Sequence, residues 1–122
     1  MNTKQILIVE DDPGIVELIK TILESEGYAV WICDKGEMVL EKTKEISPAL
    51  IFLDLWIPGE MDGAKVTRLL KADEQTRNIP VVIVSAHNDL AEIAREVGAA
   101  DFLAKPFDLK ALLMLAQRYA VH

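Results

Sequence analysis

At 122 residues, 51% of them apolar, the chain has the size of one globular domain around a single core and is not composed like a disordered segment. A formal charge of −7 argues against a nucleic-acid backbone or an anionic membrane as the main partner, and a single cysteine excludes an internal disulfide framework. Residues 1–5 show no signal-peptide pattern, and no apolar run approaches the ~20 residues of a membrane helix. The expectation is one soluble, cytoplasmic domain over 1–122.

Ile6 to Val9 is a short continuous apolar run, read as a buried strand, with Glu10, Asp11 and Asp12 at its carboxyl end. Asp12 suits an N-cap and Pro13 a first helical position. Ile15, Leu18, Ile19, Ile22 and Leu23 then recur on one helical face, closed by Gly27. Tyr28 to Ile32 reads as a second strand, and Cys33 as a small buried apolar residue in a strand. A helix follows from Lys35-Gly36 to about Ile46, with Met38, Val39 and Ile46 inward, and Ser47-Pro48 ends it.

Leu50 to Leu53 has no polar alternation and reads as a strand buried on both faces, with Asp54 at its end before a Pro58-Gly59 turn. Val66, Leu69 and Leu70 mark a third helix, and 72–78 is a polar loop. Ile79 to Val84 is a fourth strand ending at Ser85. Leu90, Ile93, Ala94 and Val97 give a fourth helix, closed by Gly98. Asp101 to Ala104 is a short fifth strand that stops at Lys105-Pro106. Leu109, Leu112, Leu113, Ala116 and Tyr119 make the last amphipathic helix. Its outer positions Ala111, Met114, Leu115 and Arg118 hint at a partner or homodimer surface.

Five apolar strands alternating with five helices predict an α/β fold, a doubly wound parallel sheet with helices on both faces. In such sheets ligands gather at the carboxyl ends of the strands. There the sequence places Glu10, Asp11, Asp12, Asp54, Ser85 and Lys105. Taken singly, each has an ordinary reading: a cap, a turn, a surface ion pair. Together, crowded carboxylates either raise a pKa or hold a cation. An all-oxygen donor set without His or Cys suits Mg²⁺. Acids with one Lys and one Ser fit phosphoryl transfer, with Asp54 as nucleophile.

The motifs Ile6-Leu7-Ile8-Val9-Glu10-Asp11-Asp12, Leu53-Asp54 with Pro58-Gly59 and Met61-Asp62-Gly63, Val84-Ser85-Ala86, and Lys105-Pro106-Phe107 resemble the receiver domains of two-component response regulators. The resemblance runs the full length and is chemotaxis-regulator-like; the expectation is a stand-alone receiver with no output domain or, equally, a receiver excised from a longer hybrid kinase or regulator. It implies a flavodoxin-like three-layer αβα fold with sheet order 2-1-3-4-5. It also implies a signalling phosphoacceptor, not an enzyme in the usual sense: Asp54 takes a phosphoryl group from a histidine kinase or phosphotransfer protein and controls a downstream effector. Asp11, Asp54 and the Trp56 backbone carbonyl would bind Mg²⁺, and Glu10 would act mostly through water. Ser85 and Lys105 would contact the phosphoryl group, with a cis Lys105-Pro106 bond. A switch would couple Ser85 to Phe102, which lacks a hydroxyl to hold it outward.

Two features depart from the family pattern. Two residues, Gly59 and Glu60, separate Pro58 from Met61, one more than usual, so this loop is longer. Trp56 and His87, each two residues past a site residue, occupy positions that bear on phosphoryl lifetime. Trp56 is expected to screen attacking water, and His87 to serve as a polar residue at the start of a helix. Rival readings fit less well. A haloacid dehalogenase-type phosphatase needs an Asp where Trp56 stands, and a flavodoxin-type flavin site needs a Ser/Thr/Gly-rich loop where Glu10-Asp11-Asp12 stands. A dinucleotide site needs a G-x-G-x-x-G that is absent. A pseudo-receiver that only docks partners would have lost part of the acid, Ser and Lys set.

Overall fold

A computed structural model describes residues 3–59 and 61–121. The elements run β1 (Gln5–Val9), α1 (Pro13–Ser25), β2 (Ala29–Cys33), α2 (Gly36–Ile46), β3 (Leu50–Asp54), α3 (Gly63–Ala72), β4 (Val81–Ser85), α4 (Leu90–Val97), β5 (Asp101–Ala104) and α5 (Leu109–Tyr119). All strand pairs are parallel, and the sheet order is β2-β1-β3-β4-β5.

Alternation along the strands divides the core into two layers. Ile6, Ile8, Leu50, Phe52, Val82 and Val84 face Ile19 and Leu23 of α1 and Leu112 and Ala116 of α5. Leu7, Val9, Ile51 and Leu53 face Val39 of α2 and Val66 and Leu70 of α3. Leu55 and Ile83 extend that second layer under Leu90, Ala94 and Val97 of α4. Both faces of the central strands are therefore covered, which is why β1, β3 and β4 carry uninterrupted apolar runs. Edge strands differ: β2 leaves Trp31 41% exposed and β5 leaves Phe102 39% exposed.

Several sequence expectations need correction. Met38 is 56% exposed, because the buried stripe of α2 runs through Gly36, Val39 and Thr43 and Met38 lies beside it. Leu18, Leu69 and Leu109 sit at the margins of their apolar faces and are exposed. β4 starts at Val81 instead of Ile79. Pro80 has no N–H for the ladder and contributes only its carbonyl, to Ile51, while the Ile79 N–H turns back to Thr76. β2 runs one residue later than expected, so that Cys33 is its last, buried member. Gly27 and Gly98 hold the positive φ of helix ends, and Ser47 ends α2 in the same left-handed region. Glu60, the extra loop residue, lies outside the described residues.

Candidate phosphoryl-transfer site

Parallel register brings the strand ends together. Val9 pairs with Leu53, Asp54 with Val84 and Ser85 with Ala104, so Glu10, Asp54, Ser85 and Lys105 emerge along one edge of the sheet. Local structure fixes each in turn. Asp12 caps α1, its Oδ1 accepting the Gly14 and Ile15 N–H groups at 2.9 and 3.2 Å, with Pro13 at the first helical position. Gly63 starts α3 directly against the backbone of Asp54 and Leu55, and its N–H donates to the Leu55 carbonyl. A Cβ there would stand 2.6 Å from the Leu55 Cα, so only glycine lets α3 lean on the end of β3.

At the centre is the Lys105 ammonium. It donates to Asp54 Oδ2 at 2.7 Å and to Glu10 Oε1 at 2.8 Å. The Lys105–Pro106 peptide bond is cis. Asp54 and Glu10 are both buried, at 4% and 3% exposure. Asp54 Oδ1 accepts the Trp56 N–H at 2.9 Å, and Glu10 Oε2 accepts the N–H groups of Asp11 and Asp12 at 3.1 and 3.2 Å. Burial pushes the Glu10 carboxyl above the ordinary range. The Lys105 hydrogen bond and the Asp12 N–H oppose that shift, and the Asp54 charge adds to it. Burial acts to lower the Lys105 pKa, but hydrogen bonds to Asp54 and Glu10 and the charge of both acids outweigh it, and the result is raised.

Asp11 is exposed, and its carboxylate has no hydrogen bond or ion pair among the described residues. Carboxylate oxygens of Glu10, Asp11 and Asp54 all lie within 4.8 Å of one another. Three acids against one ammonium leave a local surplus of two negative charges, and every donor is a hard oxygen. That set fits a divalent cation of the Mg²⁺ type.

Ser85 is fully buried on the neighbouring strand end. Its Oγ accepts the His87 N–H at 3.2 Å, which leaves the O–H free to donate, and it makes no hydrogen bond to Asp54 or Lys105 among the described residues. Phe102 stands away from this edge. It pairs with Ile83, two residues before Ser85, and lines a surface groove with Met114, Leu115 and Arg118.

Two arrangements were missed from sequence. Trp56, 65% exposed, stacks on His87 with ring centroids 6.2 Å apart and planes at 24°. The signal was present, since each lies two residues past the end of one of two adjacent strands. His87 Nδ1 also accepts the Asp89 N–H just before α4, the polar role expected of it. The second is Glu37, in the first turn of α2, which accepts the Met61 N–H at 3.3 Å and lies against Gly59, whose φ is 108°. The loop after Asp54 is thus tied to α2 by a carboxylate that no local pattern announces.

Comparison with known proteins agrees with this geometry. The family model described as "Response regulator receiver domain" matches residues 6–117. The chain is 36% identical over 112 residues to the DNA-binding response regulator MtrA of Mycolicibacterium smegmatis, covering 90% of this chain and 47% of MtrA. It therefore spans about half the length of that curated relative. Among solved structures, the receiver domain of a sensor histidine kinase from Pseudomonas aeruginosa, described with magnesium coordinated in its active-site cleft, has a TM-score of 0.88 and 31% identity. That match covers 99% of this chain and 100% of the other. The receiver domain of NtrX from Brucella abortus has a TM-score of 0.84 and 33% identity over 94% of this chain and 97% of its own. A full-length fold match, a family model over nearly the whole chain and an acid–lysine cluster at the carboxyl edge of the sheet lead to one conclusion: this chain belongs to the response regulator receiver domain family.

Proposed function

We propose that the chain is a cytoplasmic receiver that accepts a phosphoryl group on Asp54 from the phosphohistidine of a histidine kinase or phosphotransfer protein. The observation that carries this reading is the Lys105 ammonium bridging the buried Asp54 and Glu10 carboxylates, with the Asp11 carboxylate, unpaired among the described residues, beside them. An Asp54 oxygen forms a bond to phosphorus while the phosphorus–nitrogen bond of the phosphohistidine breaks, and the imidazole nitrogen leaves with its electron pair. Lys105 moves from Asp54 to a phosphoryl oxygen, and the Ser85 hydroxyl donates to another. The Trp56 N–H keeps Asp54 oriented throughout.

Mg²⁺ would be held by Asp11, Asp54 and the Trp56 backbone carbonyl, where it would neutralise charge on the transferring group. Glu10 acts through water: Lys105 occupies one of its oxygens and two backbone N–H groups occupy the other. Attack of water on phosphorus later returns Asp54 to a carboxylate, so the domain assists both its own phosphorylation and its dephosphorylation.

Output follows from movement of Ser85 toward the phosphoryl group. Phe102, outward and 39% exposed, then turns into the space released and reshapes the face of α4, β5 and α5 for an effector or a second copy. The test is intact mass after treatment with acetyl phosphate and Mg²⁺. The parent gains one phosphoryl group and Asp54→Ala gains none. A parent that stays unmodified, or an Asp54→Ala chain modified equally, refutes the assignment.

A further inference from the structure

The opposite edge of the sheet carries a second concave surface that phosphoryl transfer does not use. A cavity of about 490 Å³ opens where β3, β4 and β5 begin and α5 ends, with Lys71, Arg77 and Arg118 in its walls and Ile79, Pro80 and Tyr119 among its apolar lining. Among the described residues none that lines it is acidic, in a chain with 20 acidic residues against 13 basic ones. Five residues of strand separate it from the Asp54 edge, roughly 16 Å.

We propose that this cavity binds a small organic anion, its phosphate or carboxylate head at Lys71, Arg77 and Arg118 and its apolar body against Ile79, Pro80 and Tyr119. Three observations converge on this. Lys71 is half-buried with no carboxylate partner among the described residues; its ammonium donates to the Arg77 and Ile79 carbonyls at 3.1 and 2.7 Å. Two of its three N–H groups are thereby used, which fixes the ammonium in the wall and leaves one donor for a ligand. Burial lowers its pKa, as an uncompensated charge requires and as an anion would reverse.

Arg77 is exposed with no ion pair among the described residues, and Arg118 reaches Asp101 Oδ2 at 3.6 Å through one of its nitrogens, so both forks retain donors. The Tyr119 ring stands at the apolar wall with its hydroxyl fixed on Asp101 at 2.8 Å. Mostly apolar walls with a few convergent polar groups, at this volume, are what small-molecule sites present.

The test is an amide chemical-shift titration of the whole chain, freed of metal on a chelating resin, with phenylphosphonate and with benzoate, so that the surplus negative charge around Asp54 repels both probes. Binding predicts saturable shifts at residues 77–79, 100–101 and 118–121, unchanged in Asp54→Ala. Arg77→Glu, at an exposed position, is predicted to weaken both probes about tenfold or more. Arg118→Gln serves as a second variant, and each variant is used once its remaining amide spectrum overlays that of the parent. Uncharged benzyl alcohol is predicted to bind far more weakly. Shifts that never saturate, shifts confined to the Asp54 edge, equal affinity in both variants, or equal binding of benzyl alcohol would each overturn the proposal.

Discussion

Replacing Lys105 with methionine keeps most of the side-chain volume and removes the only ammonium that meets Asp54 and Glu10 among the described residues. Breaking a buried ion pair by removing one partner costs about 3–5 kcal/mol. Here the lysine side chain is 20% exposed and both acids are 4–5% exposed, so the lower end applies, about 3 kcal/mol. For a domain of this size that lowers the melting temperature by roughly 12 °C at pH 7 in EDTA.

The sign with pH is fixed by Glu10. Its folded pKa is already raised by burial, and losing Lys105 raises it further. A carboxyl whose folded pKa exceeds its unfolded value gains stability as pH falls through that window, because the folded state then binds the extra proton. The deficit of Lys105→Met relative to the parent therefore shrinks between neutral pH and the ordinary carboxylate range. Saturating Mg²⁺ supplies the missing positive charge and raises the variant's melting temperature more than the parent's. Equal melting temperatures at pH 7 in EDTA, or a deficit that grows on acidification, would refute this account of the cluster.

Gly63→Ala puts a methyl group against the backbone of Asp54 and Leu55 and is predicted to cost about 2 kcal/mol, moving a urea midpoint down by roughly 1 M. Trp56 fluorescence is predicted to change on Mg²⁺ addition, because its N–H holds Asp54 and its carbonyl is a proposed ligand. An unchanged spectrum at saturation, with binding confirmed by calorimetry, would argue against that ligand. Trp56→Asn removes the ring stacked on His87 and is predicted to shorten the acyl phosphate lifetime; radiolabel loss no faster than in the parent would sink the screening role.

Burial on both faces wrote itself plainly into the sequence. The unbroken runs in β1, β3 and β4 have no other use in a domain of this size, and the helices between them left only a parallel sheet. Strand order came through resemblance alone, since periodicity carries no information about which strands are neighbours. The acids, Ser85 and Lys105 were visible because each ends a strand, but their pairing was not. That Lys105 would hold Glu10 as well as Asp54 depends on contacts across 95 and 51 positions of chain. Met38 was misplaced because one residue is 100° of helix, enough to carry an apolar side chain from core to solvent. Glu37 escaped notice because a charge in the first turn of a helix already has a local explanation in the dipole.

The Glu37 tether gives the rim of the site a support of its own. Glu37 of α2 holds the loop at Met61 and Gly59, while the Gly63 N–H on the Leu55 carbonyl anchors its far end to the end of β3. The rim of the site and its reacting groups thus have separate supports, the rim in Glu37 and Asp54 in the Trp56 N–H and the Lys105 ammonium.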